Sequence, residues 1–395
     1  VQVYTKFKPT GSKKRARKPL HWGWGLLVVL ACLGAWWWWT RPEEKPRAPR
    51  PEAPVRLQAF TPAVTNLPIQ LVVTNPPVVE GKAVLPSTNR PPAGRTNLVV
   101  SEPAVDVNQF PRLPRDTFEV QLALARAGVS SGSMDGVIGS QTRAAIKAFQ
   151  RREQLPDTGV ADLETKSRLQ LHAPPLANYL VTPDDLARLQ PLSQTWLGKS
   201  QQSALDYESL LELVAERGHA HPALIKRLNP GVEWTNLTAG AVVKIPAVAY
   251  PPTRGKAAFL LIHLAGKTLQ AFDGNTNLLA NFPCSIAARV EKRPVGELHV
   301  AVVAPNPNYT FDPDVFPESA EAQKLGRKLI LPPGPNNPVG VAWIGLDRPG
   351  YGIHGTPVPE QVGRTESHGC FRLANWNAEF LLKLVTVGTP VRVVE

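Results

Sequence analysis

Residues 41 to about 115 form a proline-rich stretch without periodicity, and no single hydrophobic core can run through it. Thr, Asn and Val are scattered along it, proline pairs recur at Pro76-Pro77 and Pro91-Pro92, and no period of 2 or 3.6 is sustained. Such a segment lacks the patterned apolar surface that offsets ordering entropy, and proline stiffens it toward polyproline II. The segments on its two sides must therefore fold separately. Residues 40–115 are expected to be a disordered spacer, with an upper reach on the order of 200 Å at about 3.1 Å per residue.

Upstream of the spacer, Trp22 to Trp39 contains no charged residue, about the minimum length for a bilayer-spanning helix. Basic residues crowd its N-terminal side, whereas Arg41, Glu43, Glu44 and Lys45 nearly cancel on the other. The positive-inside rule then makes 1–21 a cytoplasmic basic tail and 22–39 a transmembrane anchor, with everything after Thr40 in the periplasm or wall space. A cleaved signal peptide would need a small-residue cleavage site, and Trp36 to Trp39 argue against one. Val29-Leu30-Ala31-Cys32 loosely resembles a lipoprotein processing site, but the residues after Cys32 stay apolar.

The net charge of +12 raises the question of nucleic acid, and its distribution answers it. Residues 1–50 hold eleven Lys/Arg against Glu43 and Glu44, which leaves the later domains only mildly basic. Those domains show no basic stripe interleaved with aromatics, so no nucleic-acid partner is expected. The three cysteines, Cys32, Cys284 and Cys370, are too sparse for a disulfide framework. A Cys284–Cys370 bridge is the alternative to a lone reactive thiol.

Downstream, the pattern predicts a multidomain α and β chain. Asp116 or Thr117 can cap a helix whose Val120, Leu124 and Ala127 share a face, and Gly128 ends it. A second helix starts near Ser140, where Thr142, Ala145, Ile146 and Phe149 form an amphipathic stripe. A third starts near Asp162. These residues, 116–172, resemble a three-helix peptidoglycan-binding module through Gln121, Leu124, Gly128, Asp135-Gly136, Gly139, Thr142, Ala145, Phe149-Gln150, Leu155, Gly159 and Thr165.

Residues 178–248 read as strand, two helices and strand. The strands lie near Asn178–Val181 and Gly240–Pro246, and the helices around Leu210, Leu213 and Val214 and from His221 to Leu228. With Asn229-Pro230 and Ile245-Pro246, this resembles a LysM module, a βααβ glycan binder. It departs from that pattern by an insertion, about Asp184 to Ala204, that includes Trp196. From 256 to 395 short β-prone runs take over (Ala258–Leu264, Asn277–Ile286, Leu298–Val303, Val339–Ile344 and Val391–Val394), with a hairpin signal at Asp273-Gly274-Asn275. This predicts a mainly β domain, in which His263 and His299 are ordinary strand residues.

The chemistry concentrates in Pro349-Gly350-Tyr351-Gly352-Ile353-His354-Gly355-Thr356, Gly363-Arg364 and Ser367-His368-Gly369-Cys370-Phe371-Arg372-Leu373. A neutral thiol is a poor nucleophile, and a nearby imidazole makes its thiolate accessible. The flanking glycines let backbone N–H groups turn toward a developing oxyanion. Zinc held by His354, His368 and Cys370 is the competing reading; it lacks a nearby acidic general base, and no metal or cofactor is expected.

This string resembles the active-site signature of the L,D-transpeptidase family, His-Gly-Thr followed by Ser/Thr-His-Gly-Cys-x-Arg. The match extends to Asn375, Gly388, Thr389 and Val391, and to the Pro294-Val295-Gly296 step, where Arg293 replaces the usual Thr. The resemblance implies Cys370 as nucleophile, His354 as its base and the Gly355 carbonyl as orienter of His354. It implies main-chain donors at His368, Gly369 and Cys370 for the oxyanion. Ser367, His368 and Arg372 would brace the site or contact substrate. The implied reaction is peptidoglycan cross-linking from a tetrapeptide stem. L,D-carboxypeptidase activity, attachment of a protein to the wall, or a non-catalytic membrane-to-wall tether are the alternatives.

Overall fold

A computed structural model describes residues 109–253, 255–315, 319–364 and 369–395. The basic tail, the expected anchor at 22–39 and the spacer up to residue 108 lie outside the described residues. Among the described residues no helix is long and apolar enough to cross a membrane.

The first module contains α1 (Thr117–Arg126), α2 (Ser140–Arg152) and α3 (Leu163–Arg168), starting where the sequence pattern puts them. The Asp116 and Asp162 carboxylates accept from the main-chain N–H of Glu119 at 2.9 Å and Thr165 at 2.8 Å. These satisfy orphan donors of the first turns of α1 and α3. Two buried glutamines fix the turns: Gln121 Oε1 accepts from Gly136 N–H at 2.8 Å and Gln150 Oε1 from Gly159 N–H at 2.8 Å. Order begins before residue 116, which corrects the spacer's expected end. Arg112 pairs with Leu171 in an antiparallel bridge and with Glu119 in an ion pair of 2.6 Å.

The second module runs β1 (Leu176–Leu180), α4 (Pro183–Ala187), α5 (Trp196–Ser200), α6 (Leu210–Arg217), α7 (Pro222–Leu228) and β2 (Val242–Pro246). β1 and β2 are antiparallel, so strand, helices and strand form one unit. The insertion supplies α4 and α5. Leu213, Ile225 and Val243 share a core with Val120, Leu124 and Phe149 of the first module.

The third region is built from β3 (Phe259–His263), β4 (Thr268–Phe272), β5 (Leu278–Pro283), β6 (Gly296–Pro305), β7 (Tyr309–Phe311), α8 (Ala320–Leu325), β8 (Leu329–Leu331), β9 (Ala342–Leu346), β10 (Gly352–His354), β11 (Phe371–Arg372), α9 (Asn375–Leu384) and β12 (Pro390–Val394). Eight strands form a curled mixed half-barrel in the order β11-β10-β9-β6-β12-β3-β4-β5. The β3–β12 and β10–β11 pairs are parallel and the others antiparallel. Mainly β is thus too coarse a description, because α9 packs on β6, β9 and β10 and puts Ala378, Phe380, Leu381 and Leu384 into the sheet's core. β7 and β8 form a separate hairpin, whose Phe311, Leu329 and Leu331 pack with Leu205 of the second module.

Candidate active site

Strand β10 places His354. It pairs antiparallel with β9, setting His354 opposite Trp343, and parallel with β11, setting His354 opposite Arg372. Cys370 immediately precedes β11 and so comes alongside the turn that opens β10. Its Sγ lies 3.5 Å from the Gly350 carbonyl oxygen. Gly350, at φ +80°, takes a conformation that glycine adopts without strain. The parallel pairing of two short strands is thus what brings a thiol and an imidazole to one sheet edge.

His354 is 6 % exposed. Its Nδ1 and the Gly355 carbonyl oxygen are 2.6 Å apart. A carbonyl only accepts, so Nδ1 carries the hydrogen and Nε2 keeps its lone pair. Burial pushes the imidazole down to about 4; the Gly355 hydrogen bond opposes this and the Arg372 charge adds to it. The ring is therefore neutral at pH 7. Trp343 stacks on it with centroids 5.6 Å apart.

Burial raises the Cys370 thiol above its ordinary range, while a hydrogen bond with the Gly352 main chain and the Arg372 charge act the other way. The resting pair is accordingly thiol and neutral imidazole. A proton must pass when the sulfur attacks. Cys284 is a different kind of thiol, fully buried and held protonated by desolvation. Neither Cys284 nor Cys370 is in a disulfide, which removes the bridge between them.

The remaining expected site residues divide. Arg372 lies on β11, its main chain bridged to Ser285 at 2.9 and 3.0 Å, and its charge reaches both thiols and His354. Gly369 is partly buried just before Cys370. Ser367 and His368 lie outside the described residues. Among the described residues no three His, Cys, Asp or Glu side chains gather as a metal ion would need.

Sequence reasoning missed two residues. Tyr309, on β7, has its hydroxyl pushed up to about 12, chiefly by burial and partly by the charge of Cys370. Trp343 covers both His354 and Gly352, where an added Cβ would come within 2.5 Å of the indole. Neither carried a local signal: Trp343 sits in the ordinary β-prone run Val339–Ile344, and Tyr309 lies outside the runs read as strands. Asn375 was visible only as part of the motif; it is 1 % exposed and its Oδ1 accepts from Thr356 N–H at 3.0 Å.

A buried neutral imidazole on β10 and a thiol just before the neighbouring β11, with glycine-rich backbone around the sulfur, define a cysteine acyl-transfer enzyme. Comparison with known proteins narrows that class. Residues 257–393 match the L,D-transpeptidase catalytic domain family, and residues 115–169 match a family described as a peptidoglycan binding domain. The chain carries an L,D-transpeptidase catalytic domain with a peptidoglycan-binding domain N-terminal to it.

The "Putative L,D-transpeptidase YkuD" of Bacillus licheniformis is 26 % identical over 186 residues, 47 % of this chain and 93 % of that protein. The "Probable L,D-transpeptidase YbiS" of Escherichia coli is 30 % identical over 170 residues, 42 % of this chain and 54 % of that protein. The chain thus spans nearly all of the first relative and about half of the second. Among solved structures, an L,D-transpeptidase from Mycobacterium smegmatis aligns with a TM-score of 0.28 at 19 % identity, over 40 % of this chain and 65 % of that one.

Proposed function

We propose that this chain cross-links peptidoglycan stems through a Cys370 thioester. Cys370 attacks the carbonyl of the third residue of a tetrapeptide stem and releases the terminal D-alanine. An amine of a neighbouring stem then resolves the thioester and forms a 3→3 link. His354 takes the thiol proton through Nε2, delivers it to the leaving amine, and later deprotonates the acceptor. The Gly355 carbonyl orients the ring. Main-chain N–H groups of His368, Gly369 and Cys370 receive the oxyanion, and Ser367 and His368 hold the site or contact substrate. The Arg372 charge favours the thiolate as it forms.

The carrying observation is the 2.6 Å contact of His354 Nδ1 with the Gly355 carbonyl on a buried, neutral ring. It commits one nitrogen and leaves the other as a base. The first module would hold the enzyme on its polymeric substrate and raise the local stem concentration. Residues 22–39 would confine it to the membrane face of the wall, and the second module, LysM-like in its strand–helix–helix–strand frame, would add glycan contact.

The test is incubation of the full chain with disaccharide-tetrapeptide muropeptides, read by mass spectrometry beside Cys370→Ala. A dimer that lacks one D-alanine and vanishes in the variant supports cross-linking. A tripeptide alone replaces it with carboxypeptidase action, and no Cys370-dependent product leaves a tether. The acid limb is a second check. Because His354 is held neutral down to about 4, its protonation does not limit kcat/KM between pH 7 and pH 5. Below pH 4 the ring takes up a proton, and the rate should then fall about tenfold per pH unit. A limb centred near 6.5 would overturn the assignment of His354.

A further inference from the structure

His354 has a main-chain carbonyl, not a carboxylate, on its Nδ1, and the path beyond that carbonyl leads out of the catalytic domain. The peptide unit whose oxygen meets His354 Nδ1 also contains the N–H of Thr356. That N–H donates to Asn375 Oδ1 at 3.0 Å. On its other side Asn375 Nδ2 donates to the Glu216 carboxylate, 3.2 Å from Oε1 and 3.3 Å from Oε2, and to the Pro335 carbonyl at 3.1 Å. Glu216 stands on α6 of the second module, at the wall of a cavity of about 520 Å³ that Trp376 and Glu379 line from the catalytic side.

We propose that Glu216 is a positioning residue that ends an imidazole–peptide–amide–carboxylate relay, through which the second module supports the base. This rests on His354 acting as the base. In a Ser-His-Asp triad a carboxylate bonded to Nδ1 stabilises the imidazolium as it forms. Here each donor in the series points away from the ring, so the dipoles align head to tail and polarise one another. Negative charge on Glu216 is thereby passed to the Gly355 oxygen.

The backbone is shaped for this path. A Cβ added at Gly355, or at Gly340 with its φ of +61°, would overlap Asn375 Oδ1. Two glycines thus make room for the amide that links the parts, and Asn375 and Thr356 are buried at 1 % and 5 % exposure. Within its own module the Glu216 carboxylate takes a long 3.5 Å contact from Tyr207, so its better hydrogen bonds are the ones from Asn375.

The charge on Glu216 depends on pH. Burial and the neighbouring Glu212 and Glu379 raise it to about 8, against the hydrogen bonds from Asn375 and Tyr207. Arg188, Asp206, Arg217 and His219 face the same cavity. A raised carboxyl is neutral below its pKa and charged above, so the relay strengthens as pH rises through about 8.

The experiment measures the rate of Cys370 alkylation by iodoacetamide in the full chain from pH 6 to pH 10, for the wild type, Glu216→Gln, Glu379→Gln and His354→Ala. It needs no wall substrate, so it stands apart from the muropeptide result. The ratio of wild type to Glu216→Gln should stay within about twofold at low pH and climb to about 3- to 10-fold above pH 8. Glu379→Gln, which removes a like charge facing Glu216, should move the climb to lower pH. A ratio constant across the range, whether one or larger, overturns the relay and leaves Glu216 a structural residue. Should His354→Ala alkylate as the wild type, the base assignment falls and takes the relay with it.

Discussion

The two modules that precede the catalytic domain meet it in different ways. The first touches its rim. Val129 bridges Asn281, with Ser130 N–H donating to the Asn281 carbonyl at 2.8 Å and Asn281 N–H to the Gly128 carbonyl at 3.0 Å. Asp135 meets Arg364 at 3.7 Å, and Gln141 donates to the Val362 carbonyl. The second module enters the catalytic architecture. Trp196 stacks on Phe311 at 4.3 Å, Leu205 lies in the core of the β7–β8 hairpin, His219 stacks on Trp376 at 5.1 Å, and Glu212 accepts from Asn336 at 2.6 Å. One module lies beside the enzyme; the other is part of its frame. The insertion that departs from the LysM pattern explains much of this difference, because it supplies Trp196 and leads directly into Leu205.

The difference can be broken by mutation. Leu205→Ala removes a fully buried side chain from a small core, which should cost about 2–5 kcal/mol. It should also lower muropeptide turnover, since Tyr309 on the same hairpin feels the charge of Cys370. Urea unfolding and turnover would be measured together, and lost stability with full turnover would show that the hairpin is dispensable. Asp116→Ala removes the N-cap of α1 in the first module and should cost about 1 kcal/mol. Turnover of soluble muropeptides should not change, and a fall would mean that the first module also shapes the site. The smallest effect belongs to Arg364→Ala. Its ion pair with Asp135 is partly exposed, so its loss should cost less than about 1 kcal/mol and vanish in high salt. A larger, salt-resistant loss would make the rim contact as integral as the second module's.

How much was legible varied with the range of the interaction. The helix starts of the first module could be read to within a residue because caps and 3.6-residue stripes are local: Asp116, Asp162 and the Ala145–Ile146–Phe149 face announce themselves. The strand–helix–helix–strand frame of the second was legible for the same reason. Strands β10 and β11 were not, because a pair this short is set by register against β9 and by its neighbours, not by its own pattern. The fold of α9 back onto β6, β9 and β10 was missed for a similar reason.

At the candidate site the sequence alone determined the chemical parts: a Cys and a His in a glycine-rich string, with Arg372 and Asn375 beyond. Residue types at short spacing carry that information, because the glycines, thiol and imidazole are needed whatever surrounds them. Only the tertiary structure decided what those parts become. It decided that His354 is buried and neutral and that Trp343 stacks on its ring. It also decided that a carboxylate of another module stands behind Asn375. Burial, dielectric and a contact between Glu216 and Asn375 depend on how distant segments pack, and no local pattern in the chain records that packing.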